Sequence, residues 1–490
     1  MMLHNWFEKH VLLRMTALSI GIHCLTAVTS WAADEPHASE ALPGGAATSK
    51  RSVLNRNAFS HASGNLGFAK EFDFKIGNAV FRKLWVSSPA STKSSDGLGP
   101  LFNARSCQRC HLKDGRGHPP SSNWPEDNAI SMIMKLSIPP QSDVERSAIA
   151  NGRIAAVPEP TYGHQLQDTA IQGHAGEGRI HISYRERRMT LAGGEVVSLR
   201  VPRYRIADLG YGALHPATMM SPRIAPPMTG LGLLEAIEEA DIRSGADPGD
   251  QNQDGVSGKA SDVWSHSSNR MVLGRFGWKA AKGSVAEQTA AAFSGDMGLS
   301  TKLHPAPYGE CSVRQDKCRQ APNGAGADQA EVSAELMRLV VFYSRNLAVP
   351  ARRDIDAPDV IRGRKIFRET GCAACHTPSF ATGPSTVSPH LSGQRIWPYT
   401  NLLLHDMGEG LADHRPEGRA TGLEWRTPPL WGIGLTKTVS GHTFFLHDGR
   451  ARSLKEAILW HGGEAKKSRD QFMQLDKAER ERLIAFVNSL

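Results

Sequence analysis

The chain has 490 residues, 40% of them hydrophobic and 22% charged, with a formal net charge of +8. That length leaves room for about two to four domains, each able to bury a core. No Lys/Arg-rich run stands out, so composition excludes an evident nucleic-acid partner.

Residues 1–32 read as a signal peptide. Lys9 and Arg14 give a basic start, 17–28 is apolar, and Ser30-Trp31-Ala32 offers small residues at a cleavage point. The apolar run is short for a bilayer span; a retained anchor is the alternative. No later segment is long and apolar enough to cross a membrane, so no span is expected after cleavage. Residues 33–60, rich in Ala, Gly, Ser and charge, read as a flexible leader. Helical spacing begins at 76–85, and a Ser/Gly/Pro-rich loop then leads to Cys107-Gln108-Arg109-Cys110-His111.

Cys-x-x-Cys-His is the attachment pattern of c-type haem. Two thiols add to the haem vinyl groups, and the adjacent His becomes an iron ligand. One copy could be a thioredoxin-like thiol pair that happens to precede a His. The pattern recurs as Cys372-Ala373-Ala374-Cys375-His376. Two copies on an exported chain predict two covalently bound haems and a periplasmic location. Four of the seven cysteines are thereby used, and Cys24 falls in the signal segment. Cys311 and Cys318 remain, and an oxidising compartment predicts a disulfide between them. A metal site there would need more ligands than the one nearby His, His304.

Between the motifs, 179–209 alternates apolar and polar residues around Gly193-Gly194, which predicts a β-hairpin. Asp250-x-Asn252-x-Asp254-Gly255-x-Ser257 resembles the start of a calcium loop, although Ser261 stands where the twelfth-position acid belongs. A plain turn is the alternative. A helix is predicted over 331–347, stopped by Pro350, then a linker at 354–358. Ile361 to Phe367 repeats the Gly-x-x-x-Phe pattern of Gly77 to Phe81, and 476–490 closes the chain as an amphipathic helix. The expected fold is therefore mainly α. It has two cytochrome c-like domains, 61–350 with a large insertion and 354–490.

Several segments resemble the bacterial di-haem oxidoreductases, a family also labelled peroxidase or thiol oxidoreductase. They are Pro100-Leu-Phe-Asn-Ala-Arg-Ser-Cys, Gly230-Leu-Gly-Leu-Leu-Glu-Ala-Ile, Gly274-Arg-Phe-Gly-Trp-Lys-Ala, Trp425-Arg-Thr-Pro-Pro-Leu-Trp-Gly and Phe445-Leu-His-Asp-Gly-Arg-Ala. More distantly the chain is similar to di-haem cytochrome c peroxidases and MauG-type enzymes. That resemblance implies electron transfer from a C-terminal haem to an N-terminal reactive haem. Its partners would be a small redox protein as donor and peroxide, or a similar small oxidant, as acceptor. It also implies Trp278 between the haems, with Gln288 and Asp296 serving peroxide cleavage. A base must move a proton between the two oxygens and a polar group must orient them. Asp296 stands where those peroxidases carry Glu. The second iron is expected to take His376 and His461, with Met407 the alternative for the latter. The sixth position of the first iron is expected to be open or weakly held, with His118 or Met297 as the alternative ligands. A non-catalytic electron carrier, and oxidation of a partner protein, are the alternative functions.

Overall fold

Two helix pairs of one design frame the protein, and strands are inserted between them. The computed structural model describes residues 38–51, 54–326 and 329–490. The expected signal peptide lies outside the described residues. In chain order the elements used below are α1 (Phe68–Arg82), β1 (Met132–Ser137), β2 (Arg179–Thr190), β3 (Val196–Ala207), β4 (Met219–Ile224), α2 (Val285–Met297), α3 (Ala334–Arg345), α4 (Pro358–Glu369), α5 (Leu454–Trp460) and α6 (Lys477–Ser489).

Helix α1 packs on α3, and α4 packs on α6. The Gly-x-x-x-Phe repeat explains both crossings. A Cβ at Gly77 would collide with the carbonyl oxygen of Leu339, and one at Gly363 with that of Arg482. Glycine thus lets the two backbones touch. One turn later the Phe of each repeat meets the histidine of its own motif. Phe81 lies 6.3 Å from His111 at 52°, and Phe367 lies 6.2 Å from His376 at 55°. The opposing helix supplies a second ring, Tyr343 at 5.3 Å from Phe81 and Phe486 at 5.2 Å from Phe367. Helix starts follow their caps. Ser284, Ser453 and Asp476 each accept from the backbone N–H three residues on, at Glu287, Glu456 and Glu479.

The expectation of a mainly α fold is corrected. Helix makes up 31% and strand 18%, so the architecture is mixed α/β. The strands form small two-stranded sheets. Strand β1 pairs with β4 from Met132↔Ile224 to Ser137↔Met219, and β2 pairs with β3 from Arg179↔Ala207 to Thr190↔Val196. Both lie in the insertion, where local backbone pairing takes the place of helix packing. Gly193 and Gly194 have φ of 81° and 79°, the left-handed conformation that a tight hairpin turn demands.

The stretch 33–60, expected as a flexible leader, carries buried side chains among its described residues: Glu40, Ala47, Ala58 and Phe59. Glu40 is fully buried and pairs with Arg352 and Arg364, while Tyr399 donates to it at 3.2 Å. No helix among the described residues is long and apolar enough to cross a membrane.

Candidate functional site

The first motif is a single helical turn, Cys107–Cys110, with His111 at its end. The Nδ1 of His111 lies 2.9 Å from the carbonyl of Pro226, which leaves Nε2 as the nitrogen for a metal. Burial lowers the pKa of this imidazole to about 4, keeping it neutral as a ligand must be. Burial also pushes the Cys107 thiol up to about 12, with the charge of Asp296 adding to the effect. A thioredoxin-like pair needs the opposite shift.

The second motif repeats this. His376 Nδ1 lies 3.0 Å from the carbonyl of Tyr399, and burial lowers the pKa of His376 to about 4. At the C-terminal end of α5, His461 Nδ1 lies 2.8 Å from the carbonyl of Ala457. His376, His461, Cys372, Cys375 and Met407 line one largely apolar cavity. Neutral, carbonyl-anchored imidazoles facing an apolar cavity beside two thiols fit a haem.

Trp278 links the two motifs. Its ring lines the same cavity. Its Nε1 donates to the carbonyl of Ile224 at 2.9 Å, two residues before the Pro226 that anchors His111. Ile224 N–H donates to the carbonyl of His447 at 2.8 Å, and the His447 ring stacks on Trp425 at 3.8 Å.

Asp296, in the last turn of α2, sits against the first motif, because its carbonyl accepts from the N–H groups of Asn103 and Ala104. Its carboxylate accepts from Gln165 Nε2 at 2.8 Å. Gln165 also donates to Asn103, whose amide donates to Asp168 at 3.0 Å. Burial raises the pKa of Asp296, and that of Asp168 to about 7. Gln288 lies more than two turns earlier on α2, its Oε1 near Gly277. Among the described residues no hydrogen bond joins Gln288 to Asp296. Sequence reading missed Gln165, Asn103 and Asp168. The run His164-Gln165-Leu166-Gln167-Asp168, unusually rich in amides and acid for a buried segment, is the signal that points to Gln165 and Asp168.

A family model described as "Di-haem oxidoreductase, putative peroxidase" matches residues 37–490. The chain belongs to this family. Comparison with curated proteins finds no match. As a di-haem oxidoreductase the chain has two haems to hold, and the two anchored motifs are where its residues fit them.

Three further predicted sites of this di-haem oxidoreductase remain. Cys311 and Cys318 are bonded to each other, with Cα atoms 6.1 Å apart. Asp250, Asn252 and Asp254 share one exposed loop. Their side-chain oxygens accept from N–H groups of Gly255, Asp254 and Val256, as in a hydrogen-bonded turn. No group of three His, Cys, Asp or Glu suited to a metal ion occurs among the described residues. His118 Nδ1 lies 2.8 Å from the carbonyl of Pro119, and its ring packs against His442.

Proposed function

We propose that this protein is a periplasmic c-type peroxidase with haem held covalently at Cys107/Cys110 and Cys372/Cys375. Two cytochrome c-like domains, 61–350 and 354–490, would carry them. Electrons are taken up on the His376 side, pass Trp278, and are used on the His111 side. When bound, the haems supply electron storage and an iron at which peroxide is reduced.

The observation that carries this reading is the placement of Trp278. One indole lines the cavity of His376 and hydrogen-bonds to the strand whose continuation anchors His111. His461 would hold the second iron together with His376. Its ring is anchored as the two motif histidines are, whereas Met407 only lines the wall. The reaction is H₂O₂ + 2 H⁺ + 2 e⁻ → 2 H₂O. Asp296 handles protons there, and Gln165 holds its carboxylate in place. The Cys311–Cys318 disulfide suits an oxidising compartment.

The test is peroxide turnover by the purified holoprotein with reduced horse-heart cytochrome c, beside EPR of the resting and half-reduced states. Turnover is expected, with one six-coordinate and one exchangeable iron. No turnover, with both irons six-coordinate in every redox state, sinks the reading and leaves an electron carrier.

A further inference from the structure

The β2–β3 hairpin carries more charge than its fold uses. Over 179–207 it holds the arginines 179, 185, 187, 188, 200, 203 and 205 against the acids Glu186 and Glu195. Both acids are consumed elsewhere, Glu186 by Arg452 and Glu195 by Lys455 and Arg480. Strand alternation sorts the rest. Pairing of His181 with Arg205, Ser183 with Arg203, Arg185 with Val201 and Arg187 with Leu199 puts all of these on one face. Arg185, Arg187, Arg203 and Arg205 are exposed, and none forms an ion pair among the described residues. Arg185 and Arg203 are diagonal neighbours across the two strands, so positive charge gathers on this face.

One end of this face meets the second motif. Arg187 lies over the ring of Trp460 at 4.7 Å, with Arg450 at 4.9 Å from the same ring. Trp460 directly precedes His461, and Arg469 donates to the His461 carbonyl at 3.0 Å. The basic face thus runs from open solvent to Trp460, next to His461. Electrons must reach that cavity from outside.

We propose that the arginine face of the hairpin is the docking surface for an acidic electron-donor protein, which passes one electron per encounter toward His461. This rests on the proposed function for the direction of flow. The occupant follows from charge complementarity: long-range attraction between opposite fields raises association rates by about 10- to 1000-fold and weakens with salt. Two encounters supply the two electrons that one peroxide consumes.

The experiment is stopped-flow reduction of the oxidised holoprotein, without peroxide, by the reduced soluble domain of cytochrome b5, an acidic one-electron donor. The rate is expected to fall steeply with ionic strength. The Arg185→Glu/Arg203→Glu/Arg205→Glu protein should react at least about tenfold slower at low salt and lose most of the salt dependence. The corresponding triple Lys protein should keep both. Reduction by neutral photoreduced lumiflavin, and thermal stability, check that the triple Glu protein still folds and still accepts electrons; both should be unchanged. A triple Glu protein within twofold of the parent toward cytochrome b5 overturns the proposal. So does sedimentation with phosphatidylglycerol vesicles that the triple Glu change abolishes while reduction is unaffected, which would make the face a lipid contact. Salt-sensitive reduction in a protein that turns over no peroxide supports the docking surface and overturns only the peroxidase reading.

Discussion

The amide of Gln165 donates to the carboxylate of Asp296 across 131 positions of chain, at 2.8 Å. Gln288, on the same helix as Asp296, does not reach it. The side-chain amide that binds the Asp296 carboxylate therefore comes from the insertion.

Replacing Gln165 with Leu is expected to lower peroxide turnover about tenfold, equivalent to about 1.4 kcal/mol of barrier. Gln288→Leu should change it less than about threefold. The pH profile separates the two further. Burial raises the pKa of Asp296, and the hydrogen bond from Gln165 opposes that shift. Activity that needs the carboxylate is lost as pH falls through this raised value. Without Gln165 the loss should begin at higher pH, and Gln288→Leu should leave it in place. An unmoved acid limb in Gln165→Leu argues against the pairing.

Trp278→Leu removes the indole and its bond to Ile224. Electron equilibration between the two haems, followed after a flash of reductant, should slow by about tenfold or more, about 1.4 kcal/mol of barrier. The absorption spectrum of each haem should be unchanged. Unaltered equilibration would show that another route carries the electrons.

His461→Met should keep the second iron low-spin and raise its potential by on the order of 100 mV, within the about 0.8 V range that axial ligands span. His461→Ala should open the sixth position. Potentiometric titration with EPR reads both. A low-spin spectrum that survives His461→Ala would assign the ligand to Met407.

Asp448 is buried and salt-bridged to Arg450, and it accepts from Tyr204 on β3 at 2.7 Å. Burial alone would raise its pKa, but Arg450 and its other partners hold it down to about 2. A carboxylate held below its unfolded value contributes stability above about pH 4, which is lost as pH falls toward 2. Asp448→Asn should remove about 2 kcal/mol of that contribution at neutral pH. Thermal melts of the two proteins should converge between pH 4 and 2. Parallel melts across that window would assign the acid sensitivity to other groups.

What the sequence discloses follows the range of each interaction. Haem attachment needs two thiols and a histidine within five residues, so Cys107 to His111 and Cys372 to His376 are readable by eye. Gly77 and Phe81, and Gly363 and Phe367, are equally plain, because one helical turn separates a contact with the partner helix from a contact with the histidine. The hairpin at 179–209 announces itself by alternation and two glycines. The mixed α/β balance does not. Short strands such as β1 and β4 pair across more than 80 positions, and Met132 to Ser137 alternates too briefly to stand out. Gln165 is hidden for the same reason. Its partner lies on another element, and the burial that makes the amide matter exists only after folding.

Glu40 has a kinetic consequence. Its partners Arg352 and Arg364 lie 312 and 324 positions later. Burying a carboxylate without its guanidiniums is strongly unfavourable. Residues around Glu40 are therefore held in the open until most of the chain has been synthesised. Loops of that length close slowly. The segment at 38–41 can settle only once Arg352 and Arg364 are available, so its docking joins the two ends of the described chain.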